Sequence, residues 1–225
     1  PIMTKLYFKK RIEKLHNLYF SIQFISILLG VTISLILYLY IDEILNYWIE
    51  EDVHVDSKVF MLMLISLILH SILGPVATLL QAIGKNSILM RAEVWTALVN
   101  ITLSIYLIDI YGLLGVILGT VIAQFGFLLF IYPYMLRTVL QVKFKYFIKE
   151  VATPLLLSAL SVIMCFYLYG DLIQVFDGVI MMLINSIVIT VLITFIFLGI
   201  DYILYKLNFK ECLAIDMTIK LKQYS

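Results

Sequence analysis

Apolar runs of about twenty residues alternate along the chain with short polar segments, and each run is long enough for the ~30 Å hydrocarbon core of a bilayer. Six runs predict six helical spans, at residues 18–41, 59–83, 88–108, 113–134, 153–169 and 179–200. The first gap is acidic, with Asp42, Glu43, Glu50, Glu51, Asp52 and Asp56. The second, Gln81 to Ser87, is broken by Gly84-Lys85-Asn86-Ser87 and carries a cation. The third, Asp109-Ile110-Tyr111-Gly112, is too short for anything but a direct reversal. Pro133 is expected to end the fourth span. Thr153-Pro154 is expected to open the fifth, because proline at the first helical position gives up a donor that is unpaired there anyway.

Two basic segments flank these spans. In residues 1–17, Phe8, Ile12, Leu15 and Tyr19 recur at helical spacing beside Lys5, Lys9, Lys10, Arg11 and Lys14, predicting an amphipathic lead-in at the membrane surface. Residues 137–150 repeat the pattern. Residues 213–222 alternate apolar and polar in a strand-like period to which no role attaches. The fourth span carries Gly115, Gly119 and Ala123 at four-residue spacing, a smooth stripe along which another helix can approach closely.

Composition fixes the class. At 63% hydrophobic and 14% charged residues, with mean hydropathy +1.06, the 225 residues lack the polar surface a soluble domain needs. The expected fold is an all-α integral membrane protein. The chain opens at Pro1 with no signal pattern, so it reads as a fragment whose beginning is missing.

Charge sign alternates across the seven segments that flank six spans, cations marking one side and carboxylates the other. Positive charge marks the cytoplasmic side, so both termini are expected there. A first prediction follows: cysteines placed at Glu51 and Asp171 react with an impermeant thiol reagent in intact cells, and one at Lys145 does not. Labelling at Lys145 would overturn this topology.

Candidate chemistry is sparse. Cys165 and Cys212 fall in different compartments and predict no disulfide; His16, His54 and His70 are too far apart to share a metal. No cofactor is expected. The glycine-lysine turn is not a phosphate loop, because Leu79 and Asn86 stand where glycine and Ser or Thr are needed. The basic segments follow from topology and anionic lipid, so nucleic acid is not an expected partner. His70, near the centre of a span, is expected to face protein or a water-filled cavity, either bonding a neighbouring helix or serving a substrate. Pro75 either kinks its helix as a hinge or only curves it. Arg91, with Glu93, either forms a cationic mouth for a phosphate-bearing substrate or snorkels to headgroups. Asn100, Gln124, Gln23 and Asn185 are amides within spans that join helices or line a path.

Four passages resemble the C-terminal half of bacterial polysaccharide flippases, in the superfamily that also holds multidrug exporters and the peptidoglycan-precursor flippase. They are residues 1–7 (PIMTKLY); Trp48 after the first span, though without the glycine usual two residues on; residues 79–85 (LLQAIGK); and residues 100–119, an asparagine-led helix, a tyrosine-glycine turn and a glycine-rich helix. The resemblance implies a cytoplasmic connector (1–17), four helices of the C-terminal lobe (18–136), a basic cytoplasmic segment (137–150), two further helices (151–205) and a cytoplasmic tail (206–225). It also implies a non-enzymatic transporter in the bacterial inner membrane. Its partners would be the bilayer, an undecaprenyl-pyrophosphate-linked oligosaccharide and a missing N-terminal half. His70, Arg91, Glu93, Asn100 and Gln124 would serve the substrate path, and Pro75, Gly115 and Gly119 a hinge or helix packing. The alternatives are a membrane polymerase or acyltransferase, against which the short, arginine-free outer loops count, another exporter of the superfamily, or a non-transporting subunit.

Overall fold

The computed structural model describes residues 2–49, 56–141, 151–161, 163 and 187–196. Among these residues the secondary structure is helical: α1 (Ile2–Phe8), α2 (Ile12–Ile49), α3 (Ser57–Ala82), α4 (Asn86–Tyr111), α5 (Leu113–Gly126), a π-helical turn (Phe127–Ile131) and α6 (Tyr132–Leu140). Two shorter apolar helices follow, Val151–Ser161 and Ile187–Ile196. Among the described residues, four stretches are long and apolar enough to cross a membrane: Ile12–Asp42, Ser57–Ala82, Asn86–Tyr111 and Leu113–Leu140. The rest of the expected fifth and sixth spans, the tail, Glu51, Lys145, Asp171, Asn185 and most of the second basic segment lie outside the described residues.

Residues 1–30 and 55–152 form one compact unit; 31–54 and 153–225 form a second. In the first unit, α5 packs on both α4 and α3, while α3 also meets α1 and α6. In the second, Ile189 and Ile193 are wholly buried one turn apart, and Ser158 and Ser161 are buried with their hydroxyls returned to the carbonyls of Leu155 and Leu157.

Local chemistry sets the helix ends. Asp56 caps α3, accepting from the amides of Lys58 at 2.8 Å and Val59 at 3.3 Å. At the other end every exposed carbonyl of the last turn finds a donor. The amide of Ile83 serves Leu79, that of Lys85 serves Leu80, that of Gly84 serves Gln81, and the Thr4 hydroxyl reaches Ala82 at 2.7 Å. This closure needs a left-handed residue after the cap, supplied by Gly84 at φ 75°. Gly112, at φ 60° and ψ −138°, alone separates α4 from α5, a conformation open only to glycine.

Four expectations change. Phe8 is not on one amphipathic helix with Leu15 and Tyr19: the chain breaks at Lys9–Arg11, with Lys10 at φ 53°, so Phe8 is exposed while Leu15 and Tyr19 are buried. The acidic residues Asp42 and Glu43 extend α2 instead of ending it, since no Gly or Pro interrupts the segment and the backbone only kinks at Tyr40. Pro133 does not end the fourth span. The Tyr132 amide donates to the Phe127 carbonyl five residues back, and the helix continues to Leu140. Likewise the next helix already runs at Val151, ahead of Pro154.

The π turn has a consequence for register. Buried positions recur every fourth residue through Gly115, Gly119, Ala123 and Phe127, then skip one to Tyr132, Leu136 and Leu140. One extra residue in the turn keeps the buried stripe continuous past the proline and turns Tyr132, not Ile131, inward.

Candidate functional site

Charge divides the first unit by end. The start of α2, the α3–α4 turn and the end of α6 share one end, through Thr4 on Ala82 and Tyr19 on Tyr132. Lys5, Lys9, Lys10, Arg11, Lys14, Lys85, Arg91 and Arg137 lie on or near it, against Glu13 and Glu93. The described charges at the opposite end of this unit are Asp56, Lys58 and Asp109. The Lys85 ammonium sits 5.6 Å from the centre of the Tyr7 ring, which ties the short α1 to the turn.

α3 has two faces. Leu69, Ile72, Pro75, Val76, Leu79 and Leu80 are buried. At helical spacing on the opposite side stand His70, Gly74, Thr78 and Gln81. His70, Thr78 and Gln81 are exposed, and a methyl added at Gly74 would meet none of the described residues within 4 Å. A polar stripe directed away from the packed core of a membrane helix is costly against lipid and is expected to face water or protein.

Behind the stripe lies a buried polar cluster. Gln23 is wholly buried on α2; its amide nitrogen donates to the Ile72 carbonyl at 2.9 Å. Its amide oxygen accepts from the Tyr132 hydroxyl at 2.8 Å, and the Tyr19 and Tyr132 hydroxyls are 2.6 Å apart. The Tyr19 hydroxyl also reaches the Gln23 amide oxygen, at 3.2 Å, so both tyrosines are placed to donate to Gln23 and either can donate to the other. One turn on, the Ser26 hydroxyl donates to the Ser71 carbonyl at 2.8 Å.

The sequence-derived candidates are not gathered in one place. His70 lies about twelve residues before the end of α3 and Arg91 about five after the start of α4, so at 1.5 Å per residue their depths differ by about 10 Å. Arg91 is exposed, its Nε donating to the Ser87 carbonyl at 3.2 Å, on the side of α4 away from α5. Glu93 is exposed on a different face. Asn100 looks into the α4–α5 seam, accepting from Ser104 at 3.1 Å and Thr120 at 3.2 Å. The buried Oε1 of Gln124, on α5, accepts no hydrogen bond among the described residues. Pro75 is buried in α3, and Gly115 and Gly119 lie against the backbone of α4 at Leu107 and Ser104. Tyr19, Tyr132, Ser26 and Ser71 were not among the sequence candidates. The usable signal was Ser71 four residues before a proline, with Gln23 and Ser26 one turn apart in another span.

These features belong to a multi-pass α-helical membrane protein. Residues 1–106, from α1 to most of α4, match the MatE family model, whose members belong to the multidrug/oligosaccharidyl-lipid/polysaccharide exporter superfamily. Proteins of this family are transporters, not enzymes. No curated protein and no solved structure matches the chain. The match takes in the connector, Trp48 and the glycine-lysine turn, and ends before the Gly112 turn and the glycine stripe of α5.

Proposed function

We propose that the chain is part of a flippase that carries an undecaprenyl-pyrophosphate-linked oligosaccharide from the cytoplasmic to the outer leaflet of a bacterial inner membrane. The match of residues 1–106 to the MatE family model supports the transporter class, and the four passages of resemblance support the substrate class. The observation that carries the reading is the exposed stripe of His70, Gly74, Thr78 and Gln81 on the face of α3 opposite its packed side. A saccharide moving through a membrane needs hydroxyl partners along its path, and this stripe presents an imidazole, a hydroxyl about two turns on and an amide about one turn further. The absence of a neighbouring side chain at Gly74 leaves width for a sugar ring. The basic end then faces the cytoplasm, where anionic headgroups are collected before crossing.

The test is complementation of a flippase-deficient strain supplied with the N-terminal lobe that the resemblance implies. His70→Ala and the pair Thr78→Ala/Gln81→Ala are expected to lower surface polysaccharide about tenfold per lost hydrogen-bonding site at unchanged membrane level, the loss expected when a polar partner is removed from bound substrate. All three side chains are exposed, so their removal leaves no cavity in the unit. Unchanged surface polysaccharide in both variants would defeat the assignment of the path to α3.

A further inference from the structure

Pro75 lacks the amide hydrogen that would serve the Ser71 carbonyl one turn back, and its ring crowds that turn. In water the solvent would satisfy the freed carbonyl; inside a bilayer a neighbouring helix must. Here α2 supplies two donors to two successive carbonyls, Ser26 Oγ to Ser71 at 2.8 Å and Gln23 Nε2 to Ile72 at 2.9 Å. A third position on the same face of α2, Gly30, lets Ser71 come close: a Cβ there would collide with the Ser71 Cβ and Oγ. The amide oxygen of Gln23 is occupied by Tyr132, which faces inward because of the extra residue in the π turn before Pro133. Two proline-bearing helices are thus tied through one glutamine.

We propose that Gln23, Ser26 and Tyr132 form a latch across the proline break of α3, and that α3 pivots at Pro75 when the latch opens. In an uninterrupted helix the residue-75 amide would already serve the Ser71 carbonyl, so the Ser26 bond counts most where proline withholds that donor. The latched state fixes the angle between the two halves of α3; with it released, the segment after Pro75 keeps the apolar packing of Val76, Leu79 and Leu80 and the Thr4 contact at Ala82, none of which fixes that angle by a directional bond at the break. Thr78 and Gln81 ride on that segment and His70 on the other, so the pivot changes the spacing within the exposed stripe. The latch follows from the α2–α3–α6 geometry and does not depend on the identity of the substrate.

The test is a distance measurement along α3. Nitroxide labels at Lys58 and Gln81, both exposed and on either side of Pro75, are about 35 Å apart along a straight helix, within range of pulsed dipolar spectroscopy. In lipid nanodiscs, with both native cysteines replaced by serine, the latched chain is expected to give one dominant distance. Gln23→Leu or Ser26→Ala should raise the ratio of a second, shorter distance roughly three- to twentyfold per lost hydrogen bond. Tyr132→Phe should raise it less, since Gln23 keeps Ile72. In a Pro75→Ala background the added amide serves Ser71, and Ser26→Ala should then change nothing. Ser26→Ala removes a single oxygen and carries the test by itself should Gln23→Leu fold poorly. An unaltered distribution in Ser26→Ala, or an equal shift with and without Pro75, would reduce the cluster to ordinary helix packing and overturn the latch.

Discussion

Replacing Gly115 with valine is expected to remove most of the folded protein. A Cβ at this position collides with the carbonyl carbon and oxygen of Leu107 and comes within 2.9 Å of the Ile108 amide nitrogen. These are backbone atoms of α4 and cannot rotate aside as a side chain would. Nor can α4 back away, because Gly112 alone joins it to α5 and the reversal holds the two helices together from their first turn. One turn further, Gly119 lies under Ser104, whose amide nitrogen would be 2.8 Å from an added Cβ. Overpacking costs about 1–3 kcal/mol when side chains can yield and more when the obstacle is backbone, so a loss of about 3 kcal/mol or more is expected for Gly115→Val. Gly126 is the control, since nothing lies within 4 Å of a methyl placed there. Thermal unfolding of the two variants in the same detergent measures the difference. If Gly115→Val melts with Gly126→Val, α4 does not rest on α5 as described.

If the chain belongs to the flippase proposed above, Arg91→Ala is expected to lower flipping about 10- to 100-fold, while Arg91→Lys keeps part of the activity. A pyrophosphate headgroup must leave the interface, and an uncompensated anion in hydrocarbon is prohibitively costly. Among the described residues Arg91 is the arginine in the first turns of a spanning helix away from the chain's start. It is exposed, on the side of α4 not covered by α5. Hydrogen bonds to a charged group contribute about 1.5–3 kcal/mol each, which sets the expected range. Lysine keeps the charge but loses the planar fork, so partial rescue separates phosphate recognition from packing. The Arg91 side chain gives up only one bond, to the Ser87 carbonyl, on truncation, and the level of protein in the membrane should hold. Surface polysaccharide measured against that level is the readout; full activity in Arg91→Ala would assign this arginine to headgroup contact alone.

Much of the fold was legible because its signals are local. Spans follow from apolar runs against bilayer thickness, and those at α2 to α5 were legible within a few residues. Gly84 and Gly112 marked the turns because positive φ is a property of one residue, not of its surroundings. The stripe of Gly115, Gly119 and Ala123 announced a close helix contact, since only small side chains allow backbones to approach. What the sequence withheld was the partner in each case. That the stripe receives α4, that Ser26 meets the carbonyl freed by Pro75 and Gln23 the one after it, and that His70 points away from the packed face depend on which helices become neighbours. Pro133 shows the limit most clearly. Read locally it ends a helix, but an i→i−5 bond from Tyr132 to Phe127 absorbs the missing donor, and the burial of Tyr132 on α2 favours that detour. A proline sets which backbone group goes unpaired; only packing decides what satisfies the carbonyl left behind, and so whether the helix stops, bends or carries on.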